Sequence, residues 1–433
     1  MCRLSSLLNV WLVNQPQSAS AAAHSGDLLQ YTLPPDKLAQ SYALYRIDVS
    51  FYFITTLYVL LVLYLMLRTR YGVRMRDLAE RLSRLWLVRA AVALGLLFVS
   101  LELLQLPFSL YRHHISIQYG LSVQQWGSWF GDWTKGLGLG VIGSAIMGWI
   151  LYAVLLLSPR RWWFYFWLAT IPIILLLIFI EPIWIDPLFN KYEPLAASNP
   201  ELVEQIERVV HRAGMDIPAS RMYEMKASEK TTELNAYVTG FRSSNRVVVW
   251  DTTMRHLNTP QVLFVFGHEM GHYVLGHLMK GFAFTVAVMF VMFYISFRLA
   301  NWLMRRYGRT WGIRQLSDFA SAPLLLLLIY VLSFLGDPVF NAVSRHIEHE
   351  ADIYGLEVTH GLFPDSQRTA AESFQILGER SLDYPYVGKF AEIWLWSHPT
   401  IADREIFAQT YDPWAEGKRP QFVPQPAGRG EKQ

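Results

Sequence analysis

Six apolar segments, each 17 to 21 residues long, constrain the fold of this chain more than any other feature. A helix needs roughly 20 apolar residues to cross the hydrocarbon core of a bilayer. Five of the segments carry no charge, and the second contains only Glu102. They span residues 49–67, 90–106, 137–157, 162–180, 281–297 and 319–336. The pattern predicts a mainly α-helical, polytopic membrane protein with about six transmembrane helices, whose first partner is the lipid bilayer.

The composition argues against a soluble protein, a nucleic-acid-binding protein and a cysteine-based metal site. Only 17% of the 433 residues are charged, against about 25% in soluble proteins. The 38 Lys and Arg residues nearly balance the 35 Asp and Glu residues, so no basic surface for binding nucleic acid is expected. Cys2 is the single cysteine, which excludes an internal disulfide and a cysteine-based metal site. Any metal must therefore be held by histidines and carboxylates.

The apolar segments divide the chain into five parts. Residues 1–46 form an N-terminal segment, in which a short apolar stretch and a run of small residues leave open a signal peptide cleaved near residue 23. Residues 47–185 form a four-helix transmembrane region, and residues 281–337 form a transmembrane hairpin. The parts at 186–280 and 338–433 are polar, lie on the same side of the membrane, and are expected to meet in one domain.

Arginine is distributed unevenly between the two sides of the membrane. The connections at 68–89, 158–161 and 298–318 contain seven, two and five arginines, whereas the opposite connection at 107–136 contains Arg112 and Lys135. Because short cytoplasmic loops are enriched in Lys and Arg, the arginine-rich side is predicted to be cytoplasmic. Both polar parts and both termini are then extracytoplasmic.

The first polar part contains the motif that carries the chemistry. We predict a helix that begins at Thr259, with this threonine as its N-cap, and includes His268, Glu269 and His272. Side chains four residues apart share one helix face, as two ligands of a single zinc ion must. Glu269 lies about 100° around the helix, where a general base can act without binding the metal. His277 does not match the spacing of a third ligand, and a packing role or a contact with a ligand is expected for it.

The second polar part can supply the third ligand. Its apolar residues have helical spacing beside a polar row that contains Glu348 and Asp352. Glu348 would complete a His-His-Glu site, and Asp352 would accept a hydrogen bond from a metal-bound imidazole. Glu350 is expected to be solvated. The alternative for Glu348 is an ordinary helical ion pair with Arg345.

The chain resembles the type I CAAX prenyl endopeptidases, integral-membrane zinc proteases of the gluzincin group, and more distantly the bacterial membrane heat-shock zinc protease. The resemblance extends over roughly residues 42–407. The matching motifs are LPFSLY (106–111), PLFNK (187–191), NAYVTG (235–240), GHEMGH (267–272), SRHIE (344–348) and SHP (397–399).

This resemblance implies a gluzincin-like α+β zinc protease domain with one Zn2+ per chain. It implies that His268, His272 and Glu348 are the ligands and that Glu269 is the base. It also implies that Asn235, Ala236 and Tyr237 belong to an edge strand that binds the substrate backbone. His398 and Arg404 would line the active site, assisting the oxyanion or binding the carboxyl end of the substrate.

The expected function is therefore a membrane-embedded zinc metalloendopeptidase that hydrolyses peptide bonds by a zinc-activated water. Its substrate is a peptide or protein, with prenylation at the C-terminus left open. The resemblance implies a cytosolic active site, whereas the arginine distribution predicts an extracytoplasmic one. A bacterial-type quality-control or processing protease without prenyl specificity thus remains an alternative, and a transporter with a structural zinc domain is a less favoured one.

Overall fold

The computed structural model describes residues 28–240 and 245–423. The α-helices of these residues are α1 (Pro35–Arg68), α2 (Tyr71–Leu82), α3 (Trp86–Gln118), α4 (Trp126–Leu157), α5 (Trp162–Ile180), α6 (Leu195–Ser198), α7 (Pro200–Arg212), α8 (Asp251–His256), α9 (Thr259–Val274), α10 (His277–Trp311), α11 (Ala322–Thr359), α12 (Ser366–Ser381), α13 (Lys389–Leu395) and α14 (Ile401–Thr410). The strands are β1 (Tyr192–Pro194), β2 (Met222–Met225), β3 (Ala236–Thr239) and β4 (Arg246–Trp250).

Six helices in the described residues are long and apolar enough to cross a membrane, which confirms the predicted number. They are α1, α3, α4, α5, α10 and α11. Five of them extend beyond the apolar segments, with α1 beginning at Pro35 inside the predicted N-terminal segment, whereas α5 coincides with the segment 162–180. Apolar side chains such as Leu57, Leu157 and Val291 remain exposed on these helices, as expected of surfaces that face lipid. The signal-peptide prediction for residues 1–23 lies outside the described residues.

The arginine-rich ends of the membrane helices are joined by a buried ion pair. Arg76, on the amphipathic helix α2, donates to Asp318 at 2.6 Å, and both side chains are almost fully buried. Asp318 also caps the short turn before α11 by accepting from the amide of Ala320. Because a buried charge is costly unless it is paired, this contact holds α2 against the start of α11.

The polar domain contains a four-stranded sheet in the order β1-β2-β4-β3. β2 and β4 are parallel, whereas β1 and β3 pair with them in antiparallel directions. In this sheet β3 is therefore an edge strand. The residues of β4 are valine-rich and buried on both faces, as expected of a central strand.

The N-cap of helix α9 lies one residue earlier than expected. Asn258 is the N-cap: its side chain accepts from the amide of Gln261, and the Gln261 side chain accepts from the amide of Asn258. The prediction of Thr259 as the cap is wrong, because Asn258 and Gln261 form a reciprocal capping box. The helix ends at Val274, and Gly276 then adopts a left-handed conformation with φ of 68°. Glycine adopts this conformation without steric cost, so α10 starts in a new direction.

A single helix joins the membrane region to the polar domain. α11 runs from Ala322 to Thr359 without interruption, although Pro338 lies inside it. The predicted domain boundary between residues 337 and 338 therefore falls within a continuous helix. Its second half is buried with α9, α12 and α14 in one apolar core, whose largest side chains include Phe264, Phe266 and Phe374. The two polar parts of the sequence thus share one core, as expected.

Candidate active site

Helix α9 directs two imidazole side chains to the same side of the helix. Its buried face packs against the sheet and α11, while the four-residue spacing directs His268 and His272 to the same side. Their Nε2 atoms lie 3.1 Å apart. His268 is buried, and His272 remains partly accessible. This face of the helix therefore combines a protected nitrogen with an approachable one.

Glu348 of α11 approaches both imidazoles. Its Oε2 lies 3.4 Å from Nε2 of His268, and its Oε1 lies 3.6 Å from Nε2 of His272. The three ligand atoms lie within 4.8 Å of one another, and this is the group of three such donors found in the described residues. Two imidazole nitrogens and one carboxylate oxygen form a donor set that suits a divalent metal with an open position.

A buried carboxylate orients His268 from behind. Oδ1 of Asp352 lies 2.8 Å from Nδ1 of His268. Arg404 donates to the same carboxylate through Nε at 2.9 Å and through Nη2 at 2.6 Å. Its guanidinium also lies over the ring of Phe374, 4.4 Å from the centroid. The guanidinium of Arg404 is therefore bonded to Asp352 and does not face the open side of the site.

The charges around α9 favour a cation. Burial opposes protonation of His268, but hydrogen bonds to Asp352 and Glu348 outweigh burial and raise its pKa to about 10. Burial raises the pKa of Glu269 above its ordinary value, although the neighbouring imidazoles oppose this increase. A raised pKa improves a carboxylate as a base once it is ionised.

His398 reaches the site from a loop. Its Nε2 lies 3.4 Å from Oε1 of Glu348, its Nδ1 lies 3.0 Å from Oγ of Ser397, and half of its side chain is exposed. Burial of the ring lowers its pKa. Arg345, one turn before Glu348, donates to the carbonyls of Glu392 and Trp396 at 2.6 Å each. Arg345 therefore holds the segment that leads to His398 and is not the ion-pair partner of Glu348.

The expected substrate strand lies next to α9. Ala236 is buried in the same core as Phe266 and Met270 of α9. Asn235 precedes β3, and its carbonyl accepts from the amide of Trp250. In an antiparallel pair, alternate residues direct their backbone groups away from the partner strand. The backbone N–H and C=O groups of Ala236 and Val238 therefore point towards the free edge of β3. The Oδ1 of Asn235 accepts from the amide of Ala236.

Tyr237 faces a different region of the sheet. Its hydroxyl lies 3.0 Å from that of Tyr192 and donates to Asp186 at 3.1 Å. Tyr237 and Asp186 line a cavity of about 460 Å³, together with Glu181 and other residues. Tyr237 thus links the edge strand to the segment that follows α5.

One expectation for the polar residues near the motif, that Glu350 is solvated, requires revision. Glu350 is not free in solvent: its Oε2 lies 3.0 Å from Nε2 of His277 and 3.3 Å from Nζ of Lys280. His277 does not continue the helix of His272, because the chain turns at Gly276. This turn brings Nδ1 of His277 to 3.1 Å from Nδ1 of His272. A glycine after the last helical residue is a common stop signal, so the turn was readable from the sequence. The contact with Glu350 was not.

Two family models match the chain. The model described as peptidase family M48 matches residues 196–409. The model described as CAAX prenyl protease N-terminal, five membrane helices, matches residues 19–191. The chain is also 37% identical over 302 residues to the metalloprotease YhfN of Bacillus subtilis, with 70% of this chain and 69% of that protein covered. This chain belongs to peptidase family M48.

Other relatives of this M48 chain agree with the assignment. The CAAX prenyl protease 1 homolog of Arabidopsis thaliana is 28% identical over 314 residues, with 70% of this chain and 69% of that protein covered. The crystal structure of S. mikatae Ste24p has the same fold, with a TM-score of 0.72, 22% identity, and coverage of 87% of this chain and 92% of that one. The protein is therefore a multi-pass membrane metallopeptidase, a hydrolase of peptide bonds. Membership of a metalloprotease family also implies a bound metal ion.

Proposed function

We propose that this M48 peptidase is a zinc endopeptidase whose ligands are His268, His272 and Glu348. The convergence of their three ligand atoms within 4.8 Å carries the proposal. Zinc, when bound, supplies a Lewis acid for the attacking water and the scissile carbonyl. Nitrogen and carboxylate donors that leave a fourth position open are typical of catalytic zinc sites.

Glu269 is the proposed general base. It lies between the two histidines in sequence but points about 100° away from His268 and about 60° away from His272 around α9, so it faces the space beside the ligands. Its carboxylate accepts the proton of the attacking water and then delivers this proton to the leaving amine. The raised pKa of Glu269 supports this role, because the same carboxyl group must act first as a base and then as an acid at one pH.

His398 and Arg404 have different proposed roles. His398 is half exposed on the open side of Glu348, so its ring can donate a hydrogen bond to the developing oxyanion. Arg404 is nearly buried against Asp352, and we assign it a positioning role. It holds Asp352, which in turn orients the ring of His268. This assignment replaces the direct substrate contact implied by the family resemblance.

The free edge of β3 is the proposed binding site for an extended peptide. Ala236 and Val238 present backbone groups there, and an added strand satisfies such groups by hydrogen bonding. Asn235 lies at the start of the same edge. The substrate is accordingly a peptide or protein segment in extended conformation, brought to the active site at the membrane surface.

Substitution of the base tests the mechanism. Glu269→Gln is expected to retain zinc while peptide cleavage falls by at least about 100-fold, since general-base catalysis typically contributes that much or more. His268→Ala is expected to lose both zinc and cleavage. Zinc content is measured by elemental analysis of the purified protein in detergent, and cleavage by mass spectrometry of the products. Undiminished cleavage by zinc-loaded Glu269→Gln protein would refute the assignment.

The class of substrate needs a separate comparison. One arm uses a farnesylated C-terminal peptide, the second uses the same peptide without its lipid, and the third uses an unfolded membrane protein. Selective cleavage of the first supports prenyl-protein processing, as in the relatives named CAAX prenyl protease 1. Equal cleavage of all three supports a quality-control protease, which the arginine distribution favours because it predicts an extracytoplasmic active site.

A further inference from the structure

The two proposed histidine ligands have different partners at their outer nitrogens. Nδ1 of His268 lies against a carboxylate, that of Asp352, at 2.8 Å. Nδ1 of His272 instead lies 3.1 Å from Nδ1 of a second histidine, His277. A carboxylate follows on the other side of His277: its Nε2 lies 3.0 Å from Oε2 of Glu350.

The direction of these hydrogen bonds follows from the orientation of His272. Its Nε2 faces Nε2 of His268 at 3.1 Å and Oε1 of Glu348 at 3.6 Å, so Nε2 is the nitrogen available to a metal. In a neutral imidazole that binds metal through Nε2, Nδ1 carries the proton and donates. Nδ1 of His277 must then accept. The proton of His277 therefore lies on Nε2, which donates to Glu350.

We propose that His277 and Glu350 are positioning residues that orient His272 for zinc through a His272-His277-Glu350 relay. The inference rests on the proposed zinc site. A carboxylate bonded to a ligand imidazole fixes its tautomer and raises its basicity. In the relay, an intervening imidazole passes this effect from Glu350 to His272, whereas Asp352 acts directly on His268.

The surrounding residues restrict the positions of His277 and Glu350. His277 is only 4% exposed, and the left-handed Gly276 turns the chain so that its ring meets His272. Glu350 is held from two further sides, by Lys280 at 3.3 Å and by His346 at 3.7 Å. The relay therefore joins α9, α10 and α11 at one point beside the proposed metal position.

Zinc affinity separates positioning from packing. We expect His277→Phe, which preserves ring volume but removes both hydrogen bonds, to weaken zinc binding roughly 10- to 100-fold. His277→Gln retains one acceptor and one donor and should recover part of that loss. Glu350→Gln should weaken binding by a smaller factor. The affinity is measured on the full-length protein in detergent by competition with a chromophoric zinc chelator.

Two controls make the outcome decisive. His211→Phe, at an exposed position on α7, makes the same substitution away from the relay and should leave zinc affinity unchanged. The double variant His277→Phe/Glu350→Gln should bind zinc no more weakly than His277→Phe alone, because residues in one network are not additive. Zinc affinity within about twofold of wild type in both His277→Phe and Glu350→Gln would overturn the relay.

The readout also distinguishes the relay from the proposed activity. If the wild-type protein binds one zinc ion but cleaves no peptide, the proposed function fails, while the relay is still supported or refuted by the affinities. If the wild-type protein binds no zinc, the metal site itself fails and the relay is overturned with it.

Discussion

Two neighbouring residues of α14 differ in whether their buried ionisable side chains have a partner. Arg404 forms two hydrogen bonds with Asp352, so both charges are compensated. Glu405 is only 1% exposed, and in the described part of the chain its Oε2 has no hydrogen-bond partner. Burial raises the pKa of Glu405 from its ordinary value of 4.5 to about 7. A group that binds its proton more tightly when folded destabilises the fold once it must ionise.

Glu405 therefore predicts a pH dependence of stability. Between pH 4.5 and 7 the folded state binds more protons at this group than the unfolded state, so the free energy of unfolding falls as the pH rises. The loss is about 3 kcal/mol in total at about 1.4 kcal/mol per pKa unit. Glu405→Gln should raise the thermal unfolding midpoint at pH 8 and change it little at pH 4.5.

The measurement is thermal unfolding of the purified protein in detergent at both values of pH. Glu204→Gln, on the exposed face of α7, controls for the loss of one negative charge. An equal shift of the midpoint for Glu405→Gln at pH 4.5 and pH 8 would contradict the assignment of a buried, protonated carboxyl group.

At the scale of elements, the distance between α9 and α11 determines the site. Glycines allow the two helices to approach closely. A Cβ atom added at Gly355 would lie 3.0 Å from the backbone nitrogen of His268, and one added at Gly267 would lie 2.9 Å from Cγ1 of Val358. The first contact involves backbone and cannot be relieved by a rotamer change, so α11 must move away from α9. Glu348 and Asp352 would move with it.

We therefore expect Gly355→Ala to weaken zinc binding and cleavage by at least about tenfold. The fold should lose about 1 to 3 kcal/mol, as is usual for overpacking a core. Gly336→Ala is a matched control on the same helix, since its Cβ would contact Phe340 at an ordinary 3.7 Å. Chelator competition and a cleavage assay measure the two effects. Wild-type zinc affinity in Gly355→Ala would show that the spacing of α9 and α11 does not set the ligand geometry.

At the scale of the whole molecule, the charges at the two ends of the membrane helices differ. Thr69 lies at the arginine-rich end, next to Arg68 and Arg70, whereas Ser198 lies on the polar domain. Both are exposed. Since positively charged loops stay in the cytoplasm, we propose that the polar domain is extracytoplasmic.

Cysteine labelling tests this orientation. In a Cys2→Ser background, Ser198→Cys should react with a membrane-impermeant thiol reagent added to intact cells, and Thr69→Cys should react only after the membrane is opened. The reverse pattern would place the active site in the cytosol and would favour a cytosolic substrate.

Much of this molecule could be predicted from local patterns. Six apolar segments predicted the six helices, because a run of about 20 apolar residues has few alternatives to crossing a bilayer. The spacing of His268 and His272 predicted two ligands on one face, and the polar row on α11 predicted Glu348 and Asp352. These predictions needed only helical periodicity, which the order of residues contains directly.

The remaining features depend on contacts between distant parts of the chain. Glu350 was expected to be solvated, yet it contacts His277, 73 positions earlier. Arg345 supports the loop of His398, and Arg404 contacts Asp352 rather than an open cleft. The sequence by itself determined the membrane helices and the types of donor at the site. Only the tertiary structure decided which outer groups orient those donors, because helix packing selects among partners that periodicity leaves equivalent.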